Sequence, residues 1–513
     1  MRRLISCEEA TRLDASTMSK AAIPSILLME DASVGLWTAL EPIARSIGAG
    51  DSGLLLALCG SGNNGGDALA LLRHASFAGL SRIAVILSRT RLDEPSSIYS
   101  SSLKSLGVPV LAWDEERADC ERLMTEAGLI VDGLAGTGLS GALQGNLLAL
   151  AEAARDCGVP IVSIDLPSGL SDHFEYGFPL VKASWTLSIG PRKACQYYPF
   201  AREACGEILD IEGVFPKFES KADMERTALL EEGDLERLAP LPSASAYKGE
   251  RGRVAVFAGS PGTSGAAVLA SRSCLAAGAG MSALFASPDL FPIASPMLES
   301  VMVKREPAIG AFEASRWDSL LVGPGWGKGP ERREHLASLL SLGLPAVIDA
   351  DAIELYRNLL DSGFAASSPI VLTPHPGEFA ALTGIDSNRA LADPPSYILE
   401  AAKSLGAIIV LKSQVTWISS PDGALAVWDG RESGLGTAGS GDVLAGLAAG
   451  LLARAAARHK AGGIGHVEAF AAARAAVIAH GLAGRESRSR MGWFEASALI
   501  GEAARILGRG GAR

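Results

Sequence analysis

What this chain lacks narrows its class before any motif is read. Its seven cysteines form no CxxC pair, and an odd, scattered set fits a reducing compartment better than a disulfide framework. The seven histidines show no zinc-ligand spacing. Cations are in deficit, 46 Lys and Arg against 57 Asp and Glu, and a formal charge of −11 argues against a nucleic-acid binder. Acidic residues enter the N-terminal MRRLISCEEATRLD before any long apolar run, so neither a secretory signal nor a membrane span is evident. The expectation is a cytoplasmic protein that acts on small molecules, with no nucleic-acid and no membrane partner.

What is present points to parallel sheets with tight turns. The chain has 513 residues, 48% of them apolar and 58 of them glycine, which is too long for one ordinary core and favours two α/β domains. Strand-like runs recur at Leu54–Cys59, Ile83–Leu87, Leu129–Leu134, Pro160–Leu170 and Trp185–Gly190, mostly separated by alanine-rich helical segments. A fresh pattern follows at Arg253–Ser260, Leu320–Gly325, Ala346–Ile353, Ile370–Phe379 and Ile408–Ser419. Between them, charge, Pro and Ser displace the apolar periodicity, which places the join at Ser220–Ala228 and the domains at 1–220 and 221–513. In such folds functional residues gather at strand C-termini, where Asp132 precedes GLAGTGLSG and Asp165 precedes LPSGL. Taken singly, each acid is equally readable as a turn cap.

Two glycine turns carry the chemistry. In GLGTAGSGDVLAGLAAGLL (Gly434–Leu452) small residues run straight into a helix N-terminus, where backbone N–H groups and the helix dipole favour an anion. There the amides of Gly439, Ser440 and Gly441 would hold a phosphoryl group while Asp442 takes a proton from the attacking hydroxyl. The alternative is a glycine turn capped by Asp. Upstream, GLLLALCGSGNNGGDALALL reads as strand, turn and helix, but Asn63, Asn64 and Asp67 add side-chain oxygens that a bare dinucleotide fingerprint lacks. Such oxygens suit a ribose, an amide or a hard cation.

With SGNNGGDA, VDGLAGTGL and SIDLPSGLSDH, the first half resembles the NAD(P)H-hydrate epimerases. With KGERGRVAVFAGSPGTSGAAVLA, VGPGWG, VIDADAI, LTPHPGEF, LKSQVT and GLGTAGSGDVLAG, the second resembles the ADP-dependent NAD(P)H-hydrate dehydratases. The fused order is that of the bifunctional bacterial members. The resemblance implies a Rossmann-like three-layer α/β/α domain followed by a ribokinase-like α/β domain. It implies repair of NADHX and NADPHX, which carry a hydroxyl at C6 of the nicotinamide ring: epimerisation of the R and S forms, then dehydration of the S form with ADP, releasing AMP and phosphate.

Carried over by motif, Asn63, Asn64, Gly65, Gly66 and Asp67 would contact the hydrated cofactor, and Asn64, Asp132 and Ser168 would bind potassium. Gly136, Thr137, Gly138, Leu139, Ser140 and Gly141, with Ala142, would wrap the pyrophosphate. Asp165 would be the epimerising acid or base, with Lys193 either its partner or a solvent-exposed lysine. In the second half Ala266, Gly325, His375 and Asp442 would line the nicotinamide, and Lys412, Ser413, Gln414, Val415, Thr416 and Gly441 would hold ADP with its Mg²⁺. Asp442 is the implied base, while Asp349 and Asp351 fit either Mg²⁺ or a polar turn. Three residues depart from the pattern: Asp31 for Asn, near the epimerase pocket in family terms, Ala68 for Gly and Ser413 for Gly. The rival reading is a ribokinase-like small-molecule kinase with a binding-only N-terminal domain. A homo-oligomer is the expected assembly.

Overall fold

The computed structural model describes residues 1–216, 226–459 and 463–509. The chain divides into two compact units: Arg3–Asp223 with Leu391–Asp393, and Met224–Ala390 with Pro394–Arg513 and Met1–Arg2. Most of the join expected at Ser220–Ala228 lies outside the described residues.

The N-terminal unit holds a seven-stranded sheet in the spatial order Val110–Ala112, Ile83–Leu87, Leu54–Cys59, Ala127–Gly133, Ile161–Ile164, Trp185–Ile189, Glu207–Ile211. Every pairing is parallel. Along Leu54–Cys59, Leu55, Ala57 and Cys59 pack into one hydrophobic cluster and Leu54, Leu56 and Leu58 into another, so both faces are covered. This is why the strand reads as an unbroken apolar run and the unit has three layers. Chain order reverses between Leu54–Cys59 and Ala127–Gly133, the crevice where such sheets bind ligands.

The C-terminal unit is built on an eleven-stranded sheet whose parallel core runs Ile408–Leu411, Ile370–Leu372, Ala346–Ile348, Ser319–Val322, Arg253–Phe257, Met281–Ala286, Met302–Arg305. Three expected strands are shorter than their apolar runs. Ile408–Ser419 is two antiparallel strands pairing Ile409 with Ser419, because Ser413 closes a turn by donating to the Val415 carbonyl at 2.6 Å. Ala346–Ile348 ends before a helix at Asp351–Asp361, and Ile370–Leu372 before one at Pro376–Thr383, whose Pro occupies the first turn that lacks N–H partners.

Helices Ser440–Arg458 and His466–Met491 are long and apolar enough to cross a membrane, yet 78% of each apolar window is buried inside the protein. The first packs on helix Ser264–Ala276 at two glycines. A Cβ on Gly446 would stand 2.3 Å from the Ala270 carbonyl oxygen, and one on Gly450 2.6 Å from the Ala277 Cβ. That close seating fixes the start of Ser440–Arg458, where Asp442 lies.

Candidate functional site

In the N-terminal unit a cavity of about 390 Å³ opens at the strand-order reversal, lined by Asn63, Asn64, Asp67, Gly136, Thr137, Gly138, Leu139, Asp165 and Lys193 among others. Helix Asn63–Phe77 starts here against the sheet: a Cβ on Gly65 would lie 2.0 Å from the Gly60 carbonyl oxygen, and one on Gly66 2.6 Å from both Met29 and Ser96. Gly65 and Gly66 thus let the helix pack rather than touch the cavity. Ser140, Gly141 and Ala142 continue the glycine loop outside the lining.

Asp165 follows the strand Ile161–Ile164 with φ +62, a left-handed backbone that is costly for a residue with a Cβ and is an observed strain point at a ligand site. Its Oδ1 accepts from the Ile189 amide at 3.0 Å and from the Lys193 ammonium. Lys193 is 1% exposed, which decides against the solvent-exposed alternative, and also donates to the Ile189 carbonyl at 2.7 Å. Gln196 donates to the Asp165 carbonyl at 3.0 Å and accepts from the Lys193 amide at 3.0 Å, tying both into one turn. Burial and the like charges of Asp165 and Asp14 push Asp67 well above the usual carboxylate range.

Asp132 and Ser168 do not line the cavity. Asp132 accepts from the Ser163 hydroxyl at 2.7 Å, the Ser168 hydroxyl at 2.6 Å and the Ser168 amide at 2.9 Å, and burial still holds its pKa above normal. Ser168 reaches the cavity wall through Ala135, whose amide donates to the Ser168 hydroxyl at 2.8 Å. Of the departures, Asp31 is exposed and outside the lining, between Met29 and Ala32, which line the cavity. Ala68 is fully buried. Ser413 has no positive φ, so its Cβ is not strained.

In the C-terminal unit Gly439 caps helix Ser440–Arg458 with φ +89, and Gly441 sits at the second helical position, where an N–H has no partner within the helix. Ser440 differs from the expected cradle: its amide donates to the Thr437 carbonyl at 3.2 Å. The Ser440 hydroxyl instead meets Nε2 of His480 at 3.0 Å, and burial lowers that histidine to about 4, so it is neutral at pH 7. Asp442 is raised to about 6 by burial, then by the Asp349 and Glu378 charges, against the opposing pull of Lys412.

Lys412 is the hub of this corner. Its ammonium lies 2.8 Å from Asp349 and 3.8 Å from Glu378, and a Cβ on Gly441 would stand 3.4 Å from it. Although burial opposes its charge, Asp349 and Glu378 keep its pKa above normal. Asp349 is 2% exposed and also accepts from the Thr373 hydroxyl at 2.7 Å. Ala350 beside it has φ +49, and Asp351 accepts from the Gly327 amide at 2.9 Å, so both acids of VIDADAI are committed to the fold.

His375 caps its own helix through one ring nitrogen. Its Nδ1 accepts from the Gly377 and Glu378 amides at 3.0 and 3.2 Å, and the side chain is 58% exposed. Gly325 lies against helix Ser264–Ala276: its carbonyl accepts from Thr263 at 2.8 Å, and a Cβ on it would stand 3.3 Å from that of Ala266. Leu269, one turn beyond Ala266, would meet a Cβ on Gly439 at 2.5 Å, which brings this wall to the Asp442 corner. No motif assigns a role to Glu378, His480, Gln196 or Asp14; the fold brings Glu378 to Lys412, His480 to Ser440, Gln196 to the Asp165 carbonyl and Asp14 to the cavity.

Two α/β units, each presenting an acid with a buried lysine beside a glycine turn, define a two-centre enzyme of the nucleotide-binding class. A family model described as NAD(P)H-hydrate dehydratase matches residues 254–504, and one described as YjeF-related protein N-terminus matches 25–195. The bifunctional NAD(P)H-hydrate repair enzyme Nnr of Moorella thermoacetica is 32% identical over 515 residues, covering 95% of this chain and 93% of its own. That of Thermofilum pendens is 32% identical over 504 residues, covering 93% and 90%. A crystal structure of an ADP/ATP-dependent NAD(P)H-hydrate dehydratase from Bacillus subtilis, co-crystallised with ATP and Mg²⁺, matches with a TM-score of 0.48 and 24% identity, covering 55% of this chain and 98% of that one. The chain belongs to the bifunctional NAD(P)H-hydrate repair enzymes, and the likeness of both halves disfavours the kinase reading.

Proposed function

We propose that the N-terminal unit interconverts the R and S forms of NADHX and NADPHX and that the C-terminal unit dehydrates the S form with ADP. The observation that carries the second activity is Asp442 at a helix N-terminus beside Lys412 and Gly441. Ionised Asp442 takes the proton of the C6 hydroxyl as that oxygen bonds to the β-phosphorus of ADP and AMP leaves. Hydroxide leaves carbon poorly, whereas the phosphorylated oxygen departs as phosphate while the N1 lone pair forms an iminium; loss of a C5 proton restores the dihydronicotinamide. Lys412 and the N–H groups at the helix start stabilise the charge on the transferred group. Mg²⁺ would neutralise the nucleotide phosphates at this corner.

The test is recovery of reduced-nicotinamide absorbance from an R and S mixture of NADHX. The intact protein is expected to recover both epimers only with ADP, and Asp165→Asn to stall after the S fraction apart from slow spontaneous epimerisation. No recovery with ADP or ATP overturns the reading.

Potassium at Asn64, Asp132 and Ser168 belongs to the same proposal. One carboxylate among neutral oxygens suits a monovalent hard cation. The Asn64 side-chain nitrogen is buried without a partner, and turning that amide places an oxygen there. Replacing K⁺ by Li⁺ is expected to slow epimerisation about tenfold and to leave dehydration of purified S-NADHX unchanged; equal rates in both salts argue against the site. A cytoplasmic setting, supported by seven cysteines outside any disulfide, and a homo-oligomer, to be checked by light scattering, complete the proposal.

A further inference from the structure

The N-terminal cavity contains an acid that no motif supplied and that lies before the family match at residues 25–195. Asp14 stands on helix Cys7–Lys20 and lines the cavity with Asp67, Asp165 and Lys193. No hydrogen bond or salt bridge within the described residues engages its carboxyl group, whereas Oδ1 of Asp165 is held by Lys193 and the Ile189 amide. The helix is not a loose arm. Ser6 and Glu9 form its capping box, and Asp172 accepts from the Cys7 and Glu8 amides at 2.9 and 3.2 Å. Ile5, next to the Ser6 cap, donates to the Arg192 carbonyl at 3.0 Å and accepts from the Ala194 amide at 2.8 Å, straddling Lys193. The segment that presents Asp14 is thereby pinned to the turn that holds Lys193 on Asp165.

Inverting C6 by elimination and readdition needs proton transfer at both ring faces: one group protonates the departing hydroxyl and another deprotonates the water that adds opposite. Resting on the epimerase reading, we propose that Asp14 is the second catalytic acid–base group of the epimerisation, paired across C6 with Asp165. In one direction Asp14 gives its proton to the C6 hydroxyl, the C6–O bond breaks as water leaves, and the N1 lone pair forms the C6=N1 iminium. Water then bonds to the other face of C6, losing its proton to Asp165, and the pair returns to N1. In reverse the two acids exchange roles, so atoms and charge balance without a further reactant. The groups facing Asp14 suit this. Burial and the Asp165 charge raise its pKa against the pull of Lys193, so Asp14 holds a proton more readily than an ordinary surface acid.

The experiment uses the full-length protein and pure R-NADHX, following R to S conversion without ADP. Asp14→Asn is expected to lower kcat for epimerisation about a hundredfold with KM within about threefold, to remove the alkaline limb of the pH profile, and to leave ADP-dependent dehydration of S-NADHX intact. Asp14→Glu, which keeps the acid, is expected to restore at least about a tenth of the wild-type rate. In H₂¹⁸O the wild-type S product is expected to carry one solvent oxygen at C6. An Asp14→Asn rate within about threefold of wild type, or an Asp14→Glu rate no better than Asp14→Asn, overturns the role of Asp14. An unlabelled product overturns the elimination step. Wild-type protein that converts R to S no faster than buffer overturns the epimerase reading itself, and the proposal with it.

Discussion

Asp442→Asn is expected to cut kcat for ADP-dependent dehydration by about a thousandfold, with ADP affinity within a few-fold of wild type and epimerisation unchanged. The residue must be ionised to accept the hydroxyl proton, and burial sets its pKa at about 6. Wild-type kcat/KM should therefore fall about tenfold per pH unit below that value. The same substitution is expected to stabilise the C-terminal unit. A carboxyl raised in the folded state binds its proton more tightly there than in the unfolded chain, so its ionisation penalises folding. The penalty is complete above about 6 and disappears as pH falls through the folded and then the unfolded pKa. Asparagine avoids it, for a gain on the order of 1–3 kcal/mol at pH 8 that vanishes toward pH 4, measured by urea unfolding. Near-normal turnover in the variant removes Asp442 from the mechanism, and a pH-independent stability change removes the account of its pKa.

Asp349→Ala should damage both stability and catalysis by separable routes. Asp349 is 2% exposed and pairs with the half-buried Lys412 at 2.8 Å, so its removal leaves the Thr373 hydroxyl short of an acceptor and the ammonium with Glu378 at 3.8 Å. Losing these bonds costs on the order of 1–3 kcal/mol, readable as a lower urea midpoint. Asp349 is also the largest charge term raising Asp442, and it holds Lys412 that would otherwise turn to Asp442. The acid limb of the dehydration profile is therefore expected to move below about 6 in the variant. An unmoved limb with lost stability would confine Asp349 to a structural role. On sequence grounds Asp349 fits either Mg²⁺ or a polar turn; the sheet seats its strand beside Ile370–Leu372 and that beside Ile408–Leu411, so that Thr373 and Lys412 converge on it only in the folded sheet.

Much of the architecture was legible because the sheets are buried on both faces. Leu54–Cys59 and Ile83–Leu87 are apolar at every position, and the structure ends them where the sequence does. Runs that hold a turn or a helix start read as longer strands, since Ile408–Ser419 has strand-forming residues on both sides of Lys412–Val415 and its reversal rests on side-chain to backbone bonds around Ser413. Glycine turns announced both sites, but not which glycine serves ligand and which serves packing. Gly65 and Gly66 share a motif with Asn64, yet only the backbone and side chains they approach show that they seat a helix.

By itself the sequence determined the two-unit α/β class, the glycine corner at Asp442 and the acid at Asp165, because local backbone geometry and unbroken apolar runs are encoded by neighbours in the chain. Tertiary structure alone decided the states of those groups. Lys193 is buried beneath Asp165, Lys412 is held by Asp349 and Glu378, and Asp14 joins Asp67 and Asp165 around one cavity. Charge, burial and proton affinity depend on distances through space, and residues far apart in the chain acquire those distances only when the sheets form.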